Sequence, residues 1–232
     1  MPGGIYVAYS GAAAQQAELE IIANNIANAA TAGFRRDRTS FDTVLAAQLP
    51  YAGVSRGSID FTPGTLQLTQ NPLNVAIEGE GLFTVEGEGG EVLYTRRGDF
   101  RLNAAGELIL PNGRAVLGQG GPITVPVGLA VQIRADGQVE TEEGPAGRLK
   151  VVQFADPASL EKVGASLIRA LPTAEPQPVD QVRLAVGFVE QSNVSLPAEI
   201  ANLTYTARAF EAAMKSLKIQ DELTKSVVEL NR

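Results

Sequence analysis

Cysteine, histidine and tryptophan do not occur anywhere in this 232-residue chain. Without cysteine or histidine there is no thiolate nucleophile, no Ser-His-Asp triad, no imidazole or thiolate zinc site and no disulfide framework. Six per cent aromatic content with no tryptophan leaves little to wall a sugar-binding cleft. A net charge of −7 and a pI near 4.8 disfavour phosphate-rich partners such as nucleic acid and anionic membranes. No apolar run reaches the roughly 18 residues of a membrane span. The N-terminus has no Lys or Arg before Arg35 and no leader-like apolar stretch, so a cleaved signal peptide is not expected.

Breakers are missing in two places. No proline falls between positions 3 and 49 or after 197, and no glycine follows Gly187. Eleven of the thirteen prolines and most glycines crowd the middle, which predicts helical ends around a non-helical centre. Near the N-terminus Ile5, Ala8, Ala12, Leu19, Ile22 and Ile26 recur about every 3.5 residues, a seam narrow enough for a helical partner. Gly33 is a plausible stop for that helix. From Ser195 and Pro197, a cap and a first turn, Ile200, Leu203, Ala207, Phe210, Met214 and Leu217 alternate steps of three and four. A helix over 198–230 would run roughly 48 Å, too long for a small domain to cover alone.

The centre reads as short strands. "VAIEG", "GLFTVEG", "EVLYTR", "ELIL", "LAVQIR" and "GRLKVVQF" are separated by "NAAG" (103–106), "PNG" (111–113) and "ADG" (135–137), which are hairpin-type turns. The fold class expected is α+β: long terminal helices and a central, mainly antiparallel, all-β domain. The expected divisions are helix 1–33, a connecting extended segment 34–70, a β domain 71–187 and a helical segment 188–232. Most of the negative charge falls on the β region, −6 against −1 for 1–50 and 0 for 196–232.

Chemical motifs are few. "SLEK" (159–162) matches S-x-x-K but lacks K-T-G and follows turn-like text. "GEGLFTVEGEGG" has neither the dinucleotide nor the P-loop spacing. Glu78, Glu80, Glu86, Glu88 and Glu91 flank two strands without the aromatic walls of a glycosidase. No catalytic set, cofactor site or metal site is expected. Asn24, Asn25 and Asn28 remain, poor helix formers at the end of the first helix. One asparagine there is a frayed end. Three beside the Ile22–Ile26 seam point to an interface, since amides next to a seam set register and partner choice.

Three ordered blocks carry a family resemblance. "SGAAAQQAELEIIANNIANAATAGFRRD", "NPLNVAIEGEGLFTVEGEGGEVLYTRRGDFRLNAAGELILPNGRAVLG" and "VGFVEQSNVSLPAEIANLTYTARAFEAAMKSLKIQDEL" resemble the flagellar basal-body rod and hook proteins of bacteria. Ala32 stands where that family commonly has proline, and Asn74 where it has aspartate. The resemblance implies a non-catalytic subunit exported through the flagellar apparatus without a cleaved leader. It would polymerise with other axial proteins in the periplasm-spanning rod of the basal body, with no small-molecule substrate. It also implies a terminal coiled coil with Ile5, Leu19, Ile22, Ile26, Leu203, Phe210, Met214 and Leu217 in its seam, and Asn24, Asn25 and Asn28 where neighbours meet. Short length, "TAGFRRDRTSF" and "ARAFE" resemble the proximal-rod branch, with the distal-rod branch as alternative. From another class, a β-domain binding module that does not polymerise fits the same composition.

Overall fold

The computed structural model describes residues 3–46, 49–164, 166–179 and 181–230, and the side chains of 3–8, 39–56, 220, 221 and 223–230 lie outside the described residues. The chain forms two compact units. One comprises 1–27, 37–60 and 194–232; the other comprises 28–36 and 61–193.

The first unit contains both long helices, α1 (Gly3–Ala27) and α2 (Leu196–Leu230). They pack against each other, as the terminal heptad patterns suggest. Ala12, Ala14 and Ile22 of α1 are buried. On α2 the covered positions Glu199, Leu203, Thr206, Phe210, Ala213 and Leu217 alternate steps of four and three. This stripe keeps Leu203, Phe210 and Leu217 from the sequence reading. Thr206 and Ala213 join it; Ala207 is half-buried as well, and Met214 is exposed. The Ser195 carbonyl accepts the first helical bond from the Glu199 amide (2.9 Å), and Pro197 occupies the first turn, where its missing N–H costs nothing. Within the stretch 34–70, β1 (Asp37–Ala46) and β2 (Leu49–Ile59) form an antiparallel ladder from Asp37↔Ile59 to Ala46↔Leu49, with a bulge between Arg38 and Ser40. α1 packs against β2, with Ile21 beside Gly57.

The second unit is β-rich and antiparallel. A six-stranded sheet places Leu82–Glu86 and Val92–Thr95 at its centre, flanked by Val151–Gln153 and Leu167–Ala170, with Leu160–Lys162 and Gln177–Pro178 at the edges. A separate three-stranded meander runs Val131–Ile133, Gln138–Thr141 and Gly144–Arg148. The core is Val75, Phe83, Phe100, Leu108, Leu110, Val116, Val125, Val139 and Leu149, all buried. Phe83 and Phe100 meet edge-on at 5.1 Å, the geometry that opposes positive ring edge to negative face. The three expected turns close on Gly106, Gly113 and Gly137. Each has φ between 80° and 84°, and each glycine amide donates back across the turn. Such a backbone is open to glycine at little cost.

Candidate assembly surfaces and the buried charge cluster

The asparagines do local work first. Asn25 is buried and reads both backbone groups of Asp37. Its Nδ2 donates to the Asp37 carbonyl and its Oδ1 accepts from the Asp37 amide, both at 2.9 Å. A side-chain amide thereby replaces the missing neighbour of a strand and sets β1 against the end of α1. Asn24 is exposed and donates to the Asp37 carboxylate at 3.1 Å. Asn28, in the second unit, accepts from the Thr31 hydroxyl at 3.2 Å while its carbonyl accepts the Thr31 amide, closing a turn after the helix.

The remaining seam candidates divide by exposure. Ile22 is buried; Leu19, Ile26, Leu203, Phe210 and Leu217 are half-buried. Met214 is 47% exposed, and Ile5 has its side chain outside the described residues. Met214 has company: Leu196 and Ile200 are 44% and 52% exposed. At about 100° per residue these three lie within roughly 40° of one another, on the flank of the covered stripe. Tyr205 and Ile219 are also exposed, but on the other side of α2. A single exposed apolar residue means little, whereas a helix apolar on several sides is one that becomes buried.

Sequence reasoning missed a charged cluster inside the second unit. Glu190 is 1% exposed and lies between Arg35 (3%) and Arg96 (4%). Arg35 Nη1 is 2.7 Å from Oε1, and Arg96 Nε is 2.6 Å from Oε2. Arg96 also donates to the carbonyls of Ile77, Gly79 and Gly81, Arg35 donates to the Thr62 carbonyl, and Glu190 Oε1 accepts the Gly64 amide. Asn193 adds a second clasp, accepting the Arg36 amide at 2.7 Å and donating to the Thr62 carbonyl. The cluster therefore joins the segments around 33–36, 61–64 and 190–193, by which the chain enters and leaves this unit.

Gly33 sits in the same place, six residues beyond the end of α1. Its amide donates to the Glu190 carbonyl at 2.8 Å, its φ is +66°, and a Cβ there would meet the Arg97 amide nitrogen at 2.3 Å. The only textual trace of the cluster is a pair of Arg-Arg steps, in "FRRD" and "TRRGD", and a lone glutamate in the apolar run "VGFVEQ".

The weaker motifs resolve into structure. The Ser159 hydroxyl donates to the Asp156 carbonyl, while the Lys162 ammonium stands 3.8 Å over the Phe34 ring. Glu88 pairs with Arg114, and Glu91 with Arg169. The Arg169 hydrogen bond holds the Glu91 carboxyl below its ordinary range. A cavity of about 360 Å³ beside Phe61, Leu82 and Phe154 has Arg35 and Arg96 in its wall, both already engaged by Glu190 and carbonyls. Among the described residues no group of three or more acidic side chains could hold a metal ion, and no helix is long and apolar enough to cross a membrane.

Comparison with known proteins completes the picture. Residues 5–35 match the family model for the flagella basal body rod protein, and 76–141 match the D1 domain of the flagellar hook proteins FlgE/F/G. Residues 185–230 match the C-terminal model of the flagellar basal body rod FlgEFG proteins. The chain is 35% identical to the flagellar basal-body rod protein FlgF of Caulobacter vibrioides, covering 99% of this chain and 98% of that one. It is 32% identical to FlgF of Salmonella typhimurium, over 96% and 95% of the two chains. With FlgG of Bacillus subtilis it shares 31% identity over 98% of each.

Proposed function

The chain belongs to the flagellar basal-body rod protein family, and on that premise we propose that it is the proximal-rod subunit, polymerising through its two helices into the shaft that crosses the periplasm. Membership makes it a structural, non-catalytic subunit of the flagellar axial filament. The observation that carries the polymerisation reading is the uncovered apolar surface of α2. α1 covers one stripe, while Leu196, Ile200 and Met214 on the flank and Tyr205 beyond stay exposed in a single copy. A helical filament of identical subunits needs such non-closing, heterologous faces. Ile5, Leu19, Ile22, Ile26, Leu203, Phe210, Met214 and Leu217 belong to this axial core, and Asn24 and Asn28 keep surface beside it for neighbouring subunits.

The proximal assignment rests on length and similarity. Alignments with the FlgF relatives run over 220 to 243 residues at 31–35% identity, and those with the FlgG relatives over 259 to 263 at 28–31%. A 232-residue chain fits the shorter group with fewer gaps, and we take that group to be the proximal type. Its partners are other axial proteins, and it reaches them through the flagellar export apparatus. Imaging of basal bodies carrying the tagged chain tests this. Label in the proximal tier is expected; label in the distal tier moves the chain to the other rod type, and no axial label removes the reading. Removing residues 203–232 should abolish assembly and swimming.

A further inference from the structure

The three-stranded meander of the second unit has charges of opposite sign at its two ends. The pairing runs from Gln138↔Arg148 at one end to Thr141↔Gly144 at the other, roughly 10 Å at the rise of a strand. At the second end the turn carries Glu142 and Glu143, both exposed. The tip is held in shape from within: the Glu143 amide donates to the Thr141 hydroxyl, which donates to the Gly144 carbonyl at 2.9 Å. Among the described residues neither glutamate has a cationic partner.

At the first end a cavity of about 430 Å³ opens beside Asp136 and Arg148. Those two neutralise each other at 2.7 Å. Lys150 and Arg183 also line the cavity, both exposed, and among the described residues neither side chain has a hydrogen bond or an ion pair. Val179 and Val182 supply an apolar floor (Asp180, between Val179 and Gln181, lies outside the described residues). Among the described residues, two uncommitted cations therefore sit in a concave site on a unit that is itself net negative.

We propose that this cavity receives the Glu142–Glu143 tip of a second copy of the chain, so that β units stack head to tail. The contact rests on the polymerisation reading above and extends it to the β unit. Its geometry is heterologous: tip and cavity occupy opposite ends of one short sheet, so a tip cannot fill its own cavity and each copy offers one of each. A contact of this polarity adds register to the helical packing, because charges bring mismatched neighbours into repulsion. Two partly exposed pairs at the usual strength of such pairs amount to about tenfold in association.

Charge reversal of the full chain tests it, with assembly followed by sedimentation against concentration. Reversing the cavity (Lys150→Glu with Arg183→Glu) or the tip (Glu142→Lys with Glu143→Lys) should each raise the concentration for half-assembly about tenfold or more. Joining both pairs in one chain should restore it, and the wild-type contact should weaken with salt. Because the chain has no cysteine, mixing Glu143→Cys with Lys150→Cys under oxidising conditions should give a disulfide-linked dimer, and mixing Glu143→Cys with Glu80→Cys should not. Assembly indifferent to both reversals, or reversals that fail to rescue each other, overturns this contact and leaves the helical reading standing. A wild-type chain that remains monomeric at every concentration overturns both.

Discussion

Replacing Glu190 with glutamine keeps the shape of the side chain and removes the negative charge between two buried guanidinium groups. Arg35 and Arg96 would then remain at 3% and 4% exposure with no carboxylate between them. The glutamine also brings an NH₂ group to one of two places. It must face either Arg96 Nε, or Arg35 Nη1 together with the Gly64 amide, and all of these are donors. Breaking a buried ion pair from one side costs about 3–5 kcal/mol, chiefly because the remaining charge is left desolvated. Against a typical total of about 5–15 kcal/mol that is a large fraction. At roughly 3 °C per kcal/mol for a chain of this size, the thermal midpoint should fall by about 10–15 °C. Calorimetry with far-UV circular dichroism on the full chain reads this directly. A loss below about 1 kcal/mol, the worth of an exposed pair, would mean that water reaches the arginines and that the cluster is not a clasp.

Asn25→Ala should cost about 2 kcal/mol, since both backbone groups of Asp37 lose their partner, and hydrogen exchange should speed up first at the Asp37 amide. Gly33→Ala meets both a left-handed φ and a backbone clash at 2.3 Å, so a loss of about 2 kcal/mol or more is expected in urea unfolding. Glu91→Gln tests a titration. The Arg169 hydrogen bond lowers the Glu91 pKa from its ordinary 4.5, so its contribution is present above 4.5 and lost as pH falls through the lower folded value. The stability difference between wild type and variant should be flat above about pH 6 and shrink in the acid range, measured as urea midpoints against pH.

Much of the fold could be read from local text, and the rest depended on pairing across the sequence. The helices announced themselves by the absence of breakers, and the hairpins by "NAAG", "PNG" and "ADG", whose last residues are Gly106, Gly113 and Gly137 in the left-handed conformation. The heptad of α2 was legible in Leu203, Phe210 and Leu217, but its covered face includes Glu199 and Thr206, which a hydrophobic pattern passes over. The ladder of β1 and β2 has little turn chemistry to mark it, so 34–70 read as a connecting segment. The Arg35–Glu190–Arg96 cluster was out of reach altogether. Arg96 and Glu190 stand 94 residues apart, and no local rule says which charges in "TRRGD" and "VGFVEQ" turn inward.

The central claim is that the exposed flank of α2 is covered by neighbouring copies when the rod forms. A chain with no cysteine of its own allows a clean test: Met214→Cys, labelled with a thiol reagent as free subunit and within assembled rods. The account predicts rapid labelling of the free subunit, in keeping with the 47% exposure of Met214, and strong protection in the rod. Equal labelling rates in the two states would contradict it.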